Sequence, residues 1–463
     1  MTKIFIFIVL SIVFVISCGK EPPTTSVSST ARYRLVWNDN PATTMTVAWD
    51  QIRGTDSFIC YGSEDFGIQW EDYPLEQEPT RIVSGYRGMN NYYATLRDLK
   101  PNTYYYFVIK DEESVTDRFW FKTAPDQPLP FTFVAGGDTK SSDAPLIAGR
   151  LSHHMVAKLR PLFVVFNGDF TAGDGTDDER WQLWLNDWTY LTTTDDGRMI
   201  PIVPVHGNHE DGDYTVLNKL FDTPCQYDNE ENVYYSLSFG GGFFHVIALN
   251  SQIDDLEEET NWLKEDLQKH QDFTFKLAGY HKPFRPHTSG KSENDHLVTL
   301  WAPLFLEYGL DIGMEGDSHM SKITYPIRPS DEPGSYEGFI RDDEKGTMYI
   351  GEGSWGAAYR PNDDDKPWTL RSGSFNQIKW IQVFPEKNGI PAHMDIRTVI
   401  TSKRNAENKD EVISYVKDVS SLTEDNVFAI PENITFFETE PYGSVITYPF
   451  NVNVNKINED MNE

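Results

Sequence analysis

Five times along the chain an apolar, β-rich run breaks off at a turn carrying a residue able to bind a metal ion. Residues 131–135 lead into Gly136-Gly137-Asp138, and residues 163–166 into Asn167-Gly168-Asp169. Residues 199–205 lead through His206 into Gly207-Asn208-His209-Glu210, and residues 273–279 into Tyr280-His281. The last run, 310–314, leads through Glu315 into Gly316-Asp317-Ser318-His319. Such runs, ending abruptly beside glycine, read as buried strands. Loops just past strand ends are where α/β proteins place their chemistry. One Gly-Asp is a common turn and one strand-end histidine is usually structural, but five such stretches in series are hard to assign to chance.

Glycine beside such a residue lets the chain turn sharply and approach an ion without a Cβ clash. Carboxylate, amide and imidazole together suit Mn, Fe or Zn, and two ions sharing a bridging carboxylate form a clamp for displacement at phosphorus. Asn208 offers a neutral oxygen, and His209 a group that exchanges a proton near neutral pH.

Around these stretches the periodicity divides the chain. Residues 32–123 carry short β-branched and aromatic segments separated by turns, and Leu99-Lys100-Pro101-Asn102-Thr103-Tyr104-Tyr105 matches a tyrosine corner of a sandwich. That unit reads as a spacer or as a wall beside the site. Ala124-Pro125-Asp126-Gln127-Pro128 reads as a linker. Beyond it, strands alternate with helical patterns at 145–159, 178–191, 260–270 and 296–308, which argues for sheet layers flanked by helices. Strands at 346–350 and 378–383 are expected to complete a second sheet. Residues 401–450 read as a loosely specified appendage, and 451–463 as a polar tail.

A chain of 463 residues exceeds what one core usually supports. Its formal charge of -31 disfavours nucleic acid and anionic lipid surfaces as electrostatic partners. An anionic substrate therefore needs a local positive centre, such as metal ions. Met1-Thr2-Lys3 and the apolar run 4–16 have the form of a secretory signal, too short for a comfortable span. Val15-Ile16-Ser17-Cys18 resembles a bacterial lipobox, which makes Cys18 the expected lipidation site, followed by a polar tether over 18–30. This implies export across the inner membrane and a lipid anchor in the cell envelope, in the outer membrane and periplasm or at the cell surface. Cys60 and Cys225 are too few for a disulfide framework, and their pairing stays open.

Asp138, Gly168-Asp169, Gly207-Asn208-His209-Glu210, His281 and Gly316-Asp317-Ser318-His319 resemble the five ordered motifs of calcineurin-like metallophosphoesterases. The preceding unit is similar to a fibronectin type III sandwich, which points to the purple acid phosphatase-like branch. The resemblance implies an all-β sandwich domain at 31–126 followed by an α/β domain of four αββα layers at 127–400; residues 1–17 read as the signal peptide and 401–463 as a C-terminal extension. It also implies hydrolysis of phosphate esters by a metal-bound hydroxide attacking phosphorus in line. One ion would be held by Asp138, Asp169 and His319, and the second by Asp169, Asn208, His281 and Asp317, with Asp169 bridging. His209 would face the substrate. His287 is a second catalytic candidate, with an exposed loop histidine as its alternative and Lys282 and Arg285 as competing phosphate contacts. The remaining histidines have no motif around them and read as structural or exposed.

Three departures from the family pattern stand out. Ala172 occupies the place of a tyrosine ligand, and Lys140 that of a histidine found in related enzymes, so the first ion lacks a usual ligand. Asp317 replaces a histidine, which leans the second site toward Mn, Mg or Ca over Zn. The ions implied are therefore divalent or trivalent: Fe, Mn or Zn, with Mg or Ca in one site. Two rival readings remain. One is a phosphodiesterase or nucleotidase on the same site. The other is a non-catalytic surface lipoprotein that binds metal or glycan, which Ala172 and Lys140 favour.

Overall fold

The computed structural model describes residues 28–450 except 140–142, 227–228, 254–255, 406 and 409–410. The signal-like run, Cys18, position 140 and the tail from 451 lie outside the described residues. Among the described residues no helix is long and apolar enough to cross a membrane.

The N-terminal unit is a sandwich of two antiparallel four-stranded sheets. One is ordered Thr30–Val36, Met45–Gln51, Met89–Leu96, Arg81–Tyr86, and the other Leu75–Gln77, Phe58–Gly62, Tyr104–Lys110, Phe119–Lys122. Alternate residues Met45, Val47 and Trp49 fill the space between them with Ile59, Phe107 and Phe121. The tyrosine corner is present: the Tyr105 hydroxyl accepts the Lys100 N–H at 2.9 Å. Cys60 is a buried free thiol, so it does not pair with Cys225, and burial pushes it up to about 12.

The second unit stacks two seven-stranded sheets. The first is ordered Ile202–Pro204, Phe163–Phe166, Phe131–Gly136, Asn376–Phe384, His393–Arg404, Val412–Ser414, with Ile446–Tyr448 also paired to His393–Arg404. The second is ordered Tyr235–Phe239, Phe244–Ala248, Phe275–Gly279, Ile312–Met314, Met348–Gly351, Ser321–Thr324, Thr369–Gly373. Phe133 stacks on Phe163 at 5.2 Å and meets Phe244 of the opposite sheet edge-on at 5.4 Å, so the sheets share an aromatic core. Helices Asp143–Leu159 and Asp178–Thr192 cover the first sheet with Met155, Val156, Trp184 and Trp188. Helices Leu256–Lys269 and Asp295–Tyr308 cover the second, placing Leu263, Trp301 and Phe305 on Ile247 and Ala278. Leu277 points into the inter-sheet core and its neighbour Ala278 into the helical layer, the period of two expected of a strand buried on both faces. The result is the expected αββα stack.

Two expectations about the C-terminal third are corrected. Asn376–Phe384 does not join the second sheet; it pairs antiparallel with Phe131–Gly136 in the centre of the first. Residues 401–450 are not a loose appendage, because the strand His393–Arg404 runs through position 400 and both Val412–Ser414 and Ile446–Tyr448 pair with it. Asn376–Phe384 is buried on both faces, and no local feature of such a strand selects its sheet.

The sandwich braces the second unit. Buried Arg34 donates from Nε to the Leu220 carbonyl at 2.6 Å and from Nη2 to Asn91 at 2.6 Å. Arg81 pairs with Asp222 at 2.7 Å, and the Tyr86 hydroxyl donates to Asp213 at 2.6 Å. These contacts clamp residues 213–222, the segment that follows the Gly-Asn-His-Glu turn.

Candidate metal centre

Strands Phe131–Gly136, Phe163–Phe166 and Ile202–Pro204 run parallel, as do Phe244–Ala248, Phe275–Gly279 and Ile312–Met314 in the other sheet. The C-terminal ends of all of these but Phe244–Ala248 release five loops that bond to one another. Asp138 N–H donates to the Gly168 carbonyl at 3.0 Å, and Gly316 N–H to that of His281 at 2.9 Å. The first and last loops close the ring through Asp317 N–H and Asp138 Oδ2 at 3.1 Å.

Four residues of the ring are held with left-handed backbones: Asp138 (φ 66°), Asp169 (φ 55°), Asp317 (φ 66°) and His319 (φ 54°). Each such residue costs about 1–3 kcal/mol and persists only where its surroundings over-determine it. The glycines serve mainly for close approach. A Cβ on Gly207 would lie 2.4 Å from the Asp169 nitrogen, and one on Gly316 would lie 2.8 Å from both the Asn167 carbonyl oxygen and His281 Nδ1.

Two imidazoles are locked with Nε2 toward carboxylates. His281 Nδ1 is 2.7 Å from the Asn167 carbonyl, which makes it the donor there. Its Nε2 then faces Asn208 Oδ1 at 3.1 Å, Asp169 Oδ1 at 3.2 Å and Asp317 Oδ1 at 3.7 Å. His319 repeats the arrangement, with Nδ1 3.1 Å from the Ala358 carbonyl and Nε2 3.1 Å from Asp138 Oδ1. Asp138 Oδ1 is buried and has no hydrogen-bond partner among the described residues. Neutral rings held this way bring lone pairs against lone pairs, an arrangement that only a proton or a metal cation relieves. Burial alone would lower the His281 pKa, but Asp169, Asp138 and Asp317 outweigh it and raise it to about 10. The pocket thus has a surplus of negative charge, and its oxygen and nitrogen donors fit metal ions.

All six expected ligand positions are brought together. Asp138, Asp169 and His281 offer atoms within 4.8 Å of one another. His319 joins through Asp138, and Asn208 and Asp317 through His281. His209 lies at the rim, its side chain 29% exposed, with Nδ1 3.3 Å from Asp174 and Nε2 3.8 Å from Asp169 Oδ2. Asp317 also receives a hydrogen bond from Lys291 Nζ. Burial would raise its pKa, but His281 and Lys291 together hold it below the usual carboxylate range.

The chain matches two family descriptions: the N-terminal domain of purple acid phosphatases over residues 30–123 and the calcineurin-like phosphoesterases over residues 147–321. The chain therefore carries a purple acid phosphatase-type N-terminal domain followed by a calcineurin-like phosphoesterase domain. An uncharacterised protein of Mycobacterium tuberculosis is 22% identical over 282 residues, a match that spans 51% of this chain and about half, 51%, of that relative. Purple acid phosphatase 18 of Arabidopsis thaliana is 24% identical over 356 residues, covering 72% of this chain and 74% of its own. The purple acid phosphatase PPD1 from yellow lupin (Lupinus luteus) seeds superposes with a TM-score of 0.62 at 14% identity, over 89% of this chain and 78% of that one, a similarity of fold.

One catalytic candidate is corrected. His287 is neither substrate-facing nor exposed: its ring is fully buried against Trp368, with Nε2 2.6 Å from Thr369 Oγ1 and Nδ1 3.2 Å from the Arg285 carbonyl. Burial, and then nearby Lys322, hold it neutral. Arg285 is no phosphate contact either, because its guanidinium bonds the Glu337 carbonyl at 2.8 Å and Asp295 at 2.9 Å.

The roles of two further residues of the site have no signal in the sequence. Glu210 is buried and accepts the N–H groups of Asp169, Phe170 and Gly207 at 2.9, 3.0 and 2.9 Å. Burial, with Asp169 beside it, pushes its pKa up to about 8. Its place in the Gly-Asn-His-Glu turn marked it for attention, but its role as a main-chain acceptor is visible only in three dimensions. Lys322, buried between Glu315 at 2.6 Å and Glu352, ties the approaches to Gly316 and Gly353 together.

Proposed function

We propose that this phosphoesterase hydrolyses phosphate esters with two metal ions, one held by Asp138, Asp169 and His319 and the other by Asp169, Asn208, His281 and Asp317. The observation that carries the reading is the pair of imidazoles whose Nδ1 atoms are spent on main-chain carbonyls while their Nε2 atoms meet carboxylates and an amide oxygen. When bound, the ions supply the Lewis acidity that polarises phosphoryl oxygens. Asp169 holds both ligand sets in register. His209, at the solvent rim, holds a proton on Nε2 for the departing ester oxygen, with the Asp174 carboxylate 3.3 Å from its Nδ1. With Ala172 intermediate in burial and no phenolate there, the protein is not expected to be purple even with iron. The carboxylate at 317 favours Mn, Mg or Ca in the second site.

The substrate is a phosphate ester, and the charge of -31 argues against nucleic acid as a partner. We place the protein on the cell envelope through a lipidated Cys18, a reading supported by Val15-Ile16-Ser17-Cys18 after a short apolar run. Mass spectrometry of the native N-terminus tests the anchor. Turnover of an aryl phosphate that stops with a chelator and returns with added divalent metal tests the activity; metal-loaded protein inert toward a panel of phosphoesters sinks it.

A further inference from the structure

Two basic side chains that no motif marks converge on Asp317. Lys291 arrives from the loop that follows His281, its Nζ on Asp317 Oδ1. Arg360 arrives from the far side: Nη1 donates to the Asp317 carbonyl at 2.8 Å, and its own N–H to the His319 carbonyl at 3.0 Å. The two loops touch, since a Cβ on Gly290 would lie 3.5 Å from Arg360 Cδ. Neither cation is used up by these contacts. An ammonium has three N–H donors and a guanidinium five, and one of each is spent on residue 317. The Lys291 side chain is 25% exposed, and among the described residues no carboxylate pairs with Arg360.

We propose that Lys291 and Arg360 form a phosphate clamp that makes this site a phosphomonoesterase, selecting dianionic monoesters over monoanionic diesters. The proposal rests on the reading of the site as a metal-dependent phosphoester hydrolase. Two divalent ions against the carboxylates of Asp138, Asp169 and Asp317 leave a single net positive charge. That matches a diester monoanion and falls short of a monoester dianion. The clamp supplies the missing charge, and the remaining guanidinium donors suit a pair of non-bridging oxygens. Because the rest of the protein repels anions, selection depends on groups at the site itself.

Orthophosphate binding to the metal-loaded full chain, read by calorimetry, tests the clamp without turnover. Lys291→Met and Arg360→Met are each expected to weaken it about tenfold or more, the usual effect of losing a charge-assisted hydrogen bond, and Lys291→Arg to restore much of the loss. In both methionine variants the ratio of kcat/KM for an aryl monoester to that for its bis-aryl diester is expected to fall, with metal content as in the wild type. Orthophosphate affinity equal in wild type and both variants overturns the clamp, as does an unchanged monoester-to-diester ratio. Loss of metal from Lys291→Met also overturns it, by making the lysine a prop for Asp317. A wild type that binds orthophosphate through these residues yet turns over no ester supports the clamp and contradicts the hydrolase reading instead.

Discussion

The carboxylate of Glu210 accepts the main-chain N–H of Asp169 at 2.9 Å, so the last residue of the Gly-Asn-His-Glu turn fixes the backbone of the residue that the two proposed ligand sets share. Asp169 needs such support, because its φ of 55° is unfavourable for a residue with a side chain. Glu210→Ala leaves three buried N–H groups without that acceptor, a loss of about 1–3 kcal/mol for each group left unsatisfied. Lower metal affinity and a lower melting temperature are expected together, by metal titration and calorimetry. Wild-type metal affinity in the variant would show that the turn holds its shape without the carboxylate.

His209 is expected to act in chemistry more than in metal holding, since its ring stands at the rim beside Asp174. His209→Ala should keep its metal while turnover falls by ~10²–10⁴, the contribution of a positioned acid. Elemental analysis showing that the variant has lost its ions would make His209 a ligand.

A pH dependence of stability follows from His153. Its ring is buried, without a hydrogen-bond partner among the described residues, and sits 5.5–5.7 Å from Trp184, Trp188 and Trp355. Burial lowers its pKa from 6.5 to about 3. The unfolded chain therefore binds this proton first: the stability is complete above pH 6.5 and declines as pH falls toward 3, by on the order of 4 kcal/mol. His153→Phe should flatten that acid decline in urea midpoints. An identical slope in the variant would assign the acid sensitivity to other groups.

What could be read from the chain was what local chemistry records. The five strand-end stretches were legible because each pairs a buried apolar run with a polar turn, and parallel strands necessarily send those turns to one edge. The tyrosine corner was legible because Tyr105 and Lys100 lie five residues apart. The sheet joined by Asn376–Phe384 was not, since a strand apolar on both faces fits either. Glycine next to a ligand signals a sharp turn, yet Asp138, Asp317 and His319 carry left-handed backbones themselves, a condition set by the neighbouring loops. His287 misled because its spacing from His281 resembles a motif while its burial depends on Trp368 and Thr369, far along the chain. Lys291 and Arg360 lie in loops with no pattern, and only folding sets them beside Asp317.

Asp317→His tests the residue at which the chain departs most from its family. Exchanging a hard carboxylate for imidazole should move metal preference from Mn or Mg toward Zn, and it removes the partner of Lys291. Competitive metal titrations read the change. An unaltered order of affinities would reduce Asp317 to a hydrogen-bond acceptor in its loop.

Asp169 is the point on which both proposed ligand sets depend, so metal content and phosphoester turnover measured on the same preparations of wild type and Asp169→Asn test the account most directly. The wild type is expected to hold about two ions per chain and to lose and regain turnover with them, while Asp169→Asn loses both metal and turnover. Full metal occupancy in Asp169→Asn, or a fully loaded wild type that hydrolyses no phosphate ester, would contradict it.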